Sequence, residues 1–341
     1  AFQSIARGDA MSTTIIGRFA VSFASDPVEE KVEITTVSKT DEPADVDPGK
    51  PINVASIHDL FNGYAYGAYI LDLRDYDDYL KSHIHTAIHV DTANLRSALS
   101  TYFQMKKIMC YDYSHTCADR KKYQQLYEFC VQYKDCEEFH VSDASFVYEE
   151  FEATYPFLCK PHNEKQAESK LHRVKYPNVI IANQLYLGDM WNRQSTQYLK
   201  QCGITHIVDA TQDQFKNDQE FKVLKVPLSD TPIAPIEEYF ASATKFIDNA
   251  LECQENRVFV HCQMGISRSS TIVLAYLMKS RGYSLYDAYK LAQGCRPRIR
   301  PNDGFFYRLG KYEMTVLGTS TTAKIEKEGL RNLHYGDCLV M

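Results

Sequence analysis

The stretch Val260-His261-Cys262-Gln263-Met264-Gly265-Ile266-Ser267-Arg268-Ser269 decides the reading of this chain. It follows an apolar strand, Arg257-Val-Phe-Val-His261, and opens an apolar helix expected over Ser267 to Ser280, stopped by Gly282. On such a loop the backbone N–H groups of Gln263 to Arg268 can curl around one oxyanion, and Gly265 permits the tight turn and close approach. The helix N-terminus adds positive potential at the same point. A cysteine there reads as a thiolate, because the amides, the helix end and Arg268 all stabilise the anion. The planar fork of Arg268 suits two phosphate oxygens. A thiolate in a phosphate cradle implies attack on phosphorus and a covalent phosphocysteine. The bland alternative, a buried structural cysteine at a helix start, leaves His261, Gly265 and Arg268 at these spacings unexplained.

The elements around the loop alternate. Ile204-Thr-His-Ile-Val-Asp209 and Phe221-Lys-Val-Leu-Lys-Val226 read as further strands, and Ile236 to Leu251 carries apolar residues at helical spacing. Ser284 and Asn302 are N-caps for two more helices. Further upstream, Tyr69-Ile-Leu-Asp-Leu73 and Lys107-Ile-Met-Cys-Tyr111 read as buried parallel strands, with a helical stretch at Arg120 to Tyr133. The fold class is therefore α/β twice over. Composition shifts divide the chain into an acidic, proline-containing tail at 1–52, a first unit at 53–159, a polar linker at 160–176, the unit with the cysteine loop at 177–317 and a loose tail at 318–341.

Composition narrows the function. Against 38 basic side chains stand 44 acidic ones, a formal charge of −6, which argues against a nucleic-acid or anionic-membrane binder. No apolar run exceeds about eight residues, far short of the ~20 that a membrane-spanning helix needs. The 10 cysteines show no Cys-x-x-Cys pair and no zinc spacing, and the N-terminus has no signal-peptide pattern. A reducing compartment, the cytoplasm, is expected, with no metal and no cofactor.

The cysteine loop resembles the signature of the Cys-based dual-specificity protein phosphatases, His-Cys-x-x-Gly-x-Ser-Arg-Ser/Thr. The resemblance extends to Leu185-Tyr-Leu-Gly188, Ala275-Tyr-Leu-Met278 and Pro301-Asn-Asp-Gly-Phe305. It implies hydrolysis of phosphotyrosine, with phosphoserine and phosphothreonine as further substrates. Cys262 would be the nucleophile and Arg268 the phosphate ligand. A poor leaving group needs a general acid, and the family's place for it falls on Asp230, 32 residues before Cys262. The alternative for Asp230 is a loop residue capping the helix at Ile236. The resemblance also gives Ser269 a hydrogen bond to the cysteine sulfur that eases its departure; otherwise it is an ordinary first-turn residue. His261 either orients the loop and tunes the sulfur or is a core-packed histidine, and Asn302 is a supporting residue. Arg296, Arg298 and Arg300 form a dense cationic cluster that fits a second phosphate or an acidic flank equally as well as a solvated loop, so no single arginine receives a role.

The first unit resembles a rhodanese-like domain through Leu71-Asp-Leu-Arg74, Tyr79, His83-Ile84, Ala87 and the segment from Tyr148 to Cys159. Where a sulfurtransferase carries its thiol this chain has Asp112, with Cys110 and Cys117 displaced, so the domain reads as inert and used for binding. A rhodanese-like domain before a dual-specificity phosphatase is the arrangement of the MAP kinase phosphatases. Their paired docking arginines are missing, since Asp91 to Leu99 holds only Arg96. A phosphoprotein is thus the expected partner, with a MAP kinase placed in doubt. The arrangement is also similar to the serine/threonine/tyrosine-interacting-like pseudophosphatase, a phosphoprotein-binding scaffold without the nucleophile, whereas Cys262 is present here. Finally, Cys338-Leu339-Val340-Met341 matches a prenylation box of the farnesyl type, which would give weak, reversible membrane attachment.

Overall fold

Both apolar runs quoted for the first unit become strands of one parallel sheet. The computed structural model describes residues 52–90, 107–111, 138–142, 148–161, 176–216 and 218–331. The expectations for the N-terminal tail, Arg96, Asp112, Cys117, the helix at 120–133 and Cys338 fall outside the described residues. The elements of the first unit are β1 (Ile52–Ala55), α1 (Ile57–Tyr66), β2 (Tyr69–Asp72), α2 (Tyr76–Lys81), β3 (His83–Ile84), β4 (Ile88–His89), β5 (Lys107–Tyr111), β6 (Glu138–Ser142), α3 (Tyr148–Thr154) and β7 (Cys159–Lys160). The sheet order is β1-β6-β5-β2-β4, every pair parallel, while β3 and β7 pair antiparallel beside it. Helix α1 starts at a capping box, in which Ser56 accepts from Asp59 N and the Asp59 carboxylate accepts from Ser56 N.

The second unit contains β8 (Asn178–Ile181), β9 (Leu185–Gly188), α4 (Met190–Gln194), α5 (Thr196–Gln201), β10 (His206–Asp209), β11 (Lys222–Lys225), α6 (Phe240–Leu251), β12 (Val258–His261), α7 (Arg268–Arg281), α8 (Leu285–Cys295), α9 (Asp303–Leu317) and α10 (Thr322–Lys327). Its sheet runs β11-β10-β12-β9-β8, parallel except for the edge strand β8. The chain passes from β9 to β10 and β11, then returns to place β12 between β9 and β10. The carboxyl end of β12 is therefore where an open α/β sheet presents its ligand crevice. Helix α7 behind it is buried from Ser269 to Met278 and ends at Gly282, whose φ of 72° is the left-handed cap. The α/β expectation holds for both units. The predicted helix over 236–251 opens with a 3₁₀ turn at Ile236–Tyr239.

Two expected boundaries move. The Thr-, Lys- and Glu-rich stretch after Gly318 predicts a loose tail, yet residues to Arg331 are docked on the second unit. The reason is polar: buried Glu313 accepts from Leu285 N (2.7 Å), Thr321 N (2.8 Å) and Thr321 Oγ1 (2.7 Å). Ile325 then buries fully on α10. At the linker, Lys160 lies in β7 and Tyr176 in the core, so its ends belong to the flanking units. The two units also share one apolar cluster. Phe61 of α1 stacks on Tyr155 at 4.4 Å and meets Tyr176 edge-on at 5.9 Å, and the cluster continues through Val179, Tyr186 and Leu199. Each such aromatic pair contributes about 1 kcal/mol beyond the area it buries.

Candidate active site

The loop after β12 is held from outside by its carbonyls. Gln263 O accepts from Met190 N (3.2 Å), and Met264 O from Arg296 Nη2 (3.2 Å) and Arg298 Nη2 (2.6 Å). Gly265 O accepts from Arg296 Nε (2.8 Å) and Ile266 O from Arg300 N (2.8 Å). In a planar trans peptide the N–H points opposite to the C=O. Carbonyls turned outward at four successive residues therefore aim the N–H groups of Met264, Gly265, Ile266 and Ser267 inward. Gly265 N reaches the buried Cys262 Sγ at 3.3 Å. The same sulfur accepts from Ser269 Oγ at 3.2 Å. Gly265 has φ 64°, and a Cβ there would stand 2.5 Å from Gly188 O and from Arg296 Nη2, so both backbone and space demand glycine.

Arg296 is the residue that sequence reasoning missed. The arginine cluster was legible, but its division of labour was not. Arg296 is 5% exposed and spends its whole fork on the protein, with Nε and Nη2 on the loop carbonyls, Nη1 on Asn178 Oδ1 (2.7 Å) and Nη2 also on Asp189 Oδ2 (3.2 Å). Burial works against its charge, and Asp189 supports it. Asp189 in turn caps α4 through Trp191 N and Asn192 N. Of the cluster, Arg296 and Arg298 thus brace the loop from below, and the side chain of Arg300 is exposed.

Asp230 lies over this loop. Its Oδ1 accepts from Ser267 Oγ (2.7 Å) and Asn302 Nδ2 (2.8 Å), while its Oδ2 is 3.5 Å from Arg268 Nε. Asn302 also caps α9 through Phe305 N, as expected, and receives its own place from Ser267 Oγ, which accepts from Asn302 N. The loop bearing Asp230 is fastened at several points: Arg268 Nη1 donates to Leu228 O (2.9 Å) and Arg308 Nη1 to Pro232 O (2.8 Å). Gly304 lies under it, where a Cβ would come within 1.9 Å of Pro232 O. The structure therefore brings Cys262, Arg268, Ser269, Asp230 and Asn302 together around one cradle.

His261 packs differently. Its ring is fully buried, stacked on Phe259 at 5.3 Å and edge-on to Phe215 at 5.5 Å. Burial lowers its pKa to about 4, only partly offset by Asp209, whose Oδ1 is 3.4 Å from Nε2. The core-packed alternative describes its ring. Elsewhere in the fold, desolvation pushes the thiols of Cys159 up to about 11 and Cys202 up to about 12. Among the described residues no group of three or more His, Cys, Asp and Glu side chains could hold a metal ion.

Comparison with known proteins agrees with this geometry. Residues 185–315 match the family described as dual specificity phosphatase, catalytic domain, and residues 54–147 match the rhodanese-like domain. The chain is 38% identical over 148 residues to dual specificity protein phosphatase 14 of Homo sapiens, covering 43% of this chain and 74% of that protein. The chain belongs to the dual specificity protein phosphatases. A second member of that family, the "Probable rhodanese domain-containing dual specificity protein phosphatase" of Dictyostelium discoideum, is 36% identical over 169 residues, or 49% of this chain. The match spans only 35% of that longer protein. Among solved structures, the human tyrosine phosphatase-like serine/threonine/tyrosine-interacting protein is 31% identical, covering 42% of this chain and 99% of that one, with a TM-score of 0.39.

Proposed function

We propose that this dual-specificity phosphatase is an active enzyme that hydrolyses phosphate monoesters of proteins through a phosphocysteine. The observation that carries the reading is the convergence on one cradle of a sulfur, a carboxyl group and a guanidinium, each with its supporting hydrogen bonds, the last two also facing each other as an ion pair. Arg268 and the inward N–H groups hold the phosphoryl oxygens. The Cys262 sulfur attacks phosphorus, an S–P bond forms, the P–O bond to the side-chain oxygen breaks, and Asp230 gives that oxygen its proton. Ser267 and Asn302 both bind Oδ1, which leaves Oδ2 to exchange the proton. Water then attacks phosphorus, Asp230 recovers a proton from it, and the S–P bond breaks with the electron pair returning to sulfur. Ser269, already donating to that sulfur at 3.2 Å, stabilises the charge it regains.

The rhodanese-like domain is read as a non-catalytic part of this enzyme. Beside the ends of β2 and β5, Arg74 is committed to Asp72 (Nη2 to Oδ2, 2.7 Å) and Ser82 O (2.6 Å), and lies 3.6 Å from the Tyr148 ring centre. Tyr111 donates to the same Asp72 at 2.6 Å. That corner is a closed ion-pair cluster and offers an anion no free fork.

The test is acid quenching during turnover of an aryl phosphate by the full chain, followed by mass spectrometry. Wild type should yield a phosphate adduct on Cys262, and Cys262→Ser should lose turnover by several orders of magnitude while still binding inorganic phosphate. A wild-type chain that binds phosphopeptides yet turns over no ester would make it a phosphoprotein-binding scaffold instead.

A further inference from the structure

The phosphate loop is connected to the rhodanese-like domain by buried hydrogen bonds that meet at the Asn178–Val179 backbone. Asn62, on α1 of that domain, is 6% exposed. Its side-chain amide donates Nδ2 to Val179 O (2.9 Å) and accepts at Oδ1 from Val179 N (2.7 Å). Val179 lies in β8, the edge strand of the phosphatase sheet. An edge strand leaves a row of backbone groups unpaired, and the Asn62 amide supplies to Val179 the donor and acceptor that a further strand would supply. The neighbouring residue in β8 is Asn178, 1% exposed, whose Oδ1 accepts from Arg296 Nη1 at 2.7 Å. Arg296 then carries Met264 O and Gly265 O.

We propose that the rhodanese-like domain completes the phosphate site: Asn62 fixes β8, Asn178 on β8 fixes Arg296, and Arg296 sets the loop amides. The proposal rests on reading the loop as a phosphate cradle. Asn62 and Asn178 are positioning residues. Asp189 cannot substitute for Asn178, because its Oδ2 engages Nη2 while its Oδ1 is occupied in capping α4. Asn178 Oδ1 is the acceptor that the described residues give Nη1, and a shift of β8 by 1 Å is enough to break a 2.7 Å bond. Arg298 keeps Met264 O at 2.6 Å, but Gly265 O released from Arg296 no longer holds the N–H of Ile266 toward the anion, so affinity for phosphate falls although no residue touching phosphate has changed. Packing supplies the rigidity that the relay needs, since Phe61, next to Asn62, is clamped against Tyr155 and Tyr176.

The experiment compares the full-length chain with Asn62→Ala, Asn178→Ala and Phe240→Leu, the last a buried α6 residue outside the relay. The readouts are the dissociation constant for inorganic phosphate and amide hydrogen exchange at Ile266, both taken well below the Tm of each variant. Asn62→Ala and Asn178→Ala should weaken phosphate binding about threefold to thirtyfold and speed exchange at the Ile266 amide. Phe240→Leu should lower Tm and leave both readouts at wild-type values. Phosphate affinity within twofold of wild type in the two asparagine variants, or an equal loss in Phe240→Leu, overturns the relay. Should Asn62→Ala fail to fold, Asn62→Asp, which keeps the acceptor for Val179 N and loses the donor to Val179 O, takes its place with the same expected losses. Wild type without phosphate affinity overturns the cradle reading itself, and the relay with it.

Discussion

Asn302 holds Asp230: the side-chain Nδ2 of one donates to Oδ1 of the other at 2.8 Å, while the same Asn302 side chain caps α9 through Phe305 N. The carboxyl group is thereby tied to a rigid helix end rather than to its own loop alone. Asp230→Asn should slow hydrolysis of phosphotyrosine far more than that of an ester whose leaving group is a weak base, because only the poor leaving group needs the proton. Asn302→Ala should show the same imbalance at smaller size, about tenfold against phosphotyrosine. Rates of both variants on the two esters check this, and equal losses on both would remove Asp230 and Asn302 from proton delivery.

Ser269 acts on the second half of the cycle. Ser269→Ala removes the 3.2 Å donor to Cys262 Sγ and so penalises the departing sulfur. Rapid-quench kinetics on an activated ester should show a burst of leaving group followed by a steady rate at least about tenfold below wild type. Slowing without a burst would place Ser269 in the first step.

Glu313 secures the C-terminal segment. Glu313→Ala leaves three donors, Leu285 N, Thr321 N and Thr321 Oγ1, without their acceptor and should cost about 3 kcal/mol of stability. Denaturant unfolding measures this. Truncation after Leu317 should cost at least as much.

His261 governs acid stability. Its folded pKa lies near 4 against 6.5 when unfolded, so the unfolded chain binds the proton more tightly. Stability is complete above pH 6.5 and falls as pH drops from 6.5 towards 4, by roughly 3 kcal/mol once both values are passed. His58 and His206 are shifted the same way by burial and add to the slope. Unfolding free energies of His261→Gln across this window should show a shallower decline than wild type.

The chemistry was legible where spacing along the chain equals spacing in space. Cys262, Gly265, Arg268 and Ser269 lie within eight consecutive residues, so strand, loop and helix could be read directly around them. Asn302 was legible as a cap because capping is local. Arg296 was not, because its partners Asn178 and Gly265 are separated from it by 118 and 31 positions, and a basic cluster in sequence carries no sign of which member turns inward. Asn62 gave no signal at all, since its meaning comes from a strand in the other domain. The docking of residues 318–331 escaped for a related reason. One buried carboxylate on α9, rather than an apolar stripe, holds that segment.

The fastening of the acid loop bears on timing. Leu228 O is pinned by Arg268, Pro232 O by Arg308, and Gly304 leaves the loop no slack from beneath. A proton donor bolted to the frame needs no swing to reach its post. A catalytic cycle without a closing step leaves solvent friction nothing to retard at the chemical stage, so kcat should not change with viscosity. A viscous medium then delays the meeting of enzyme and phosphoprotein while leaving the bond-breaking event at its own pace.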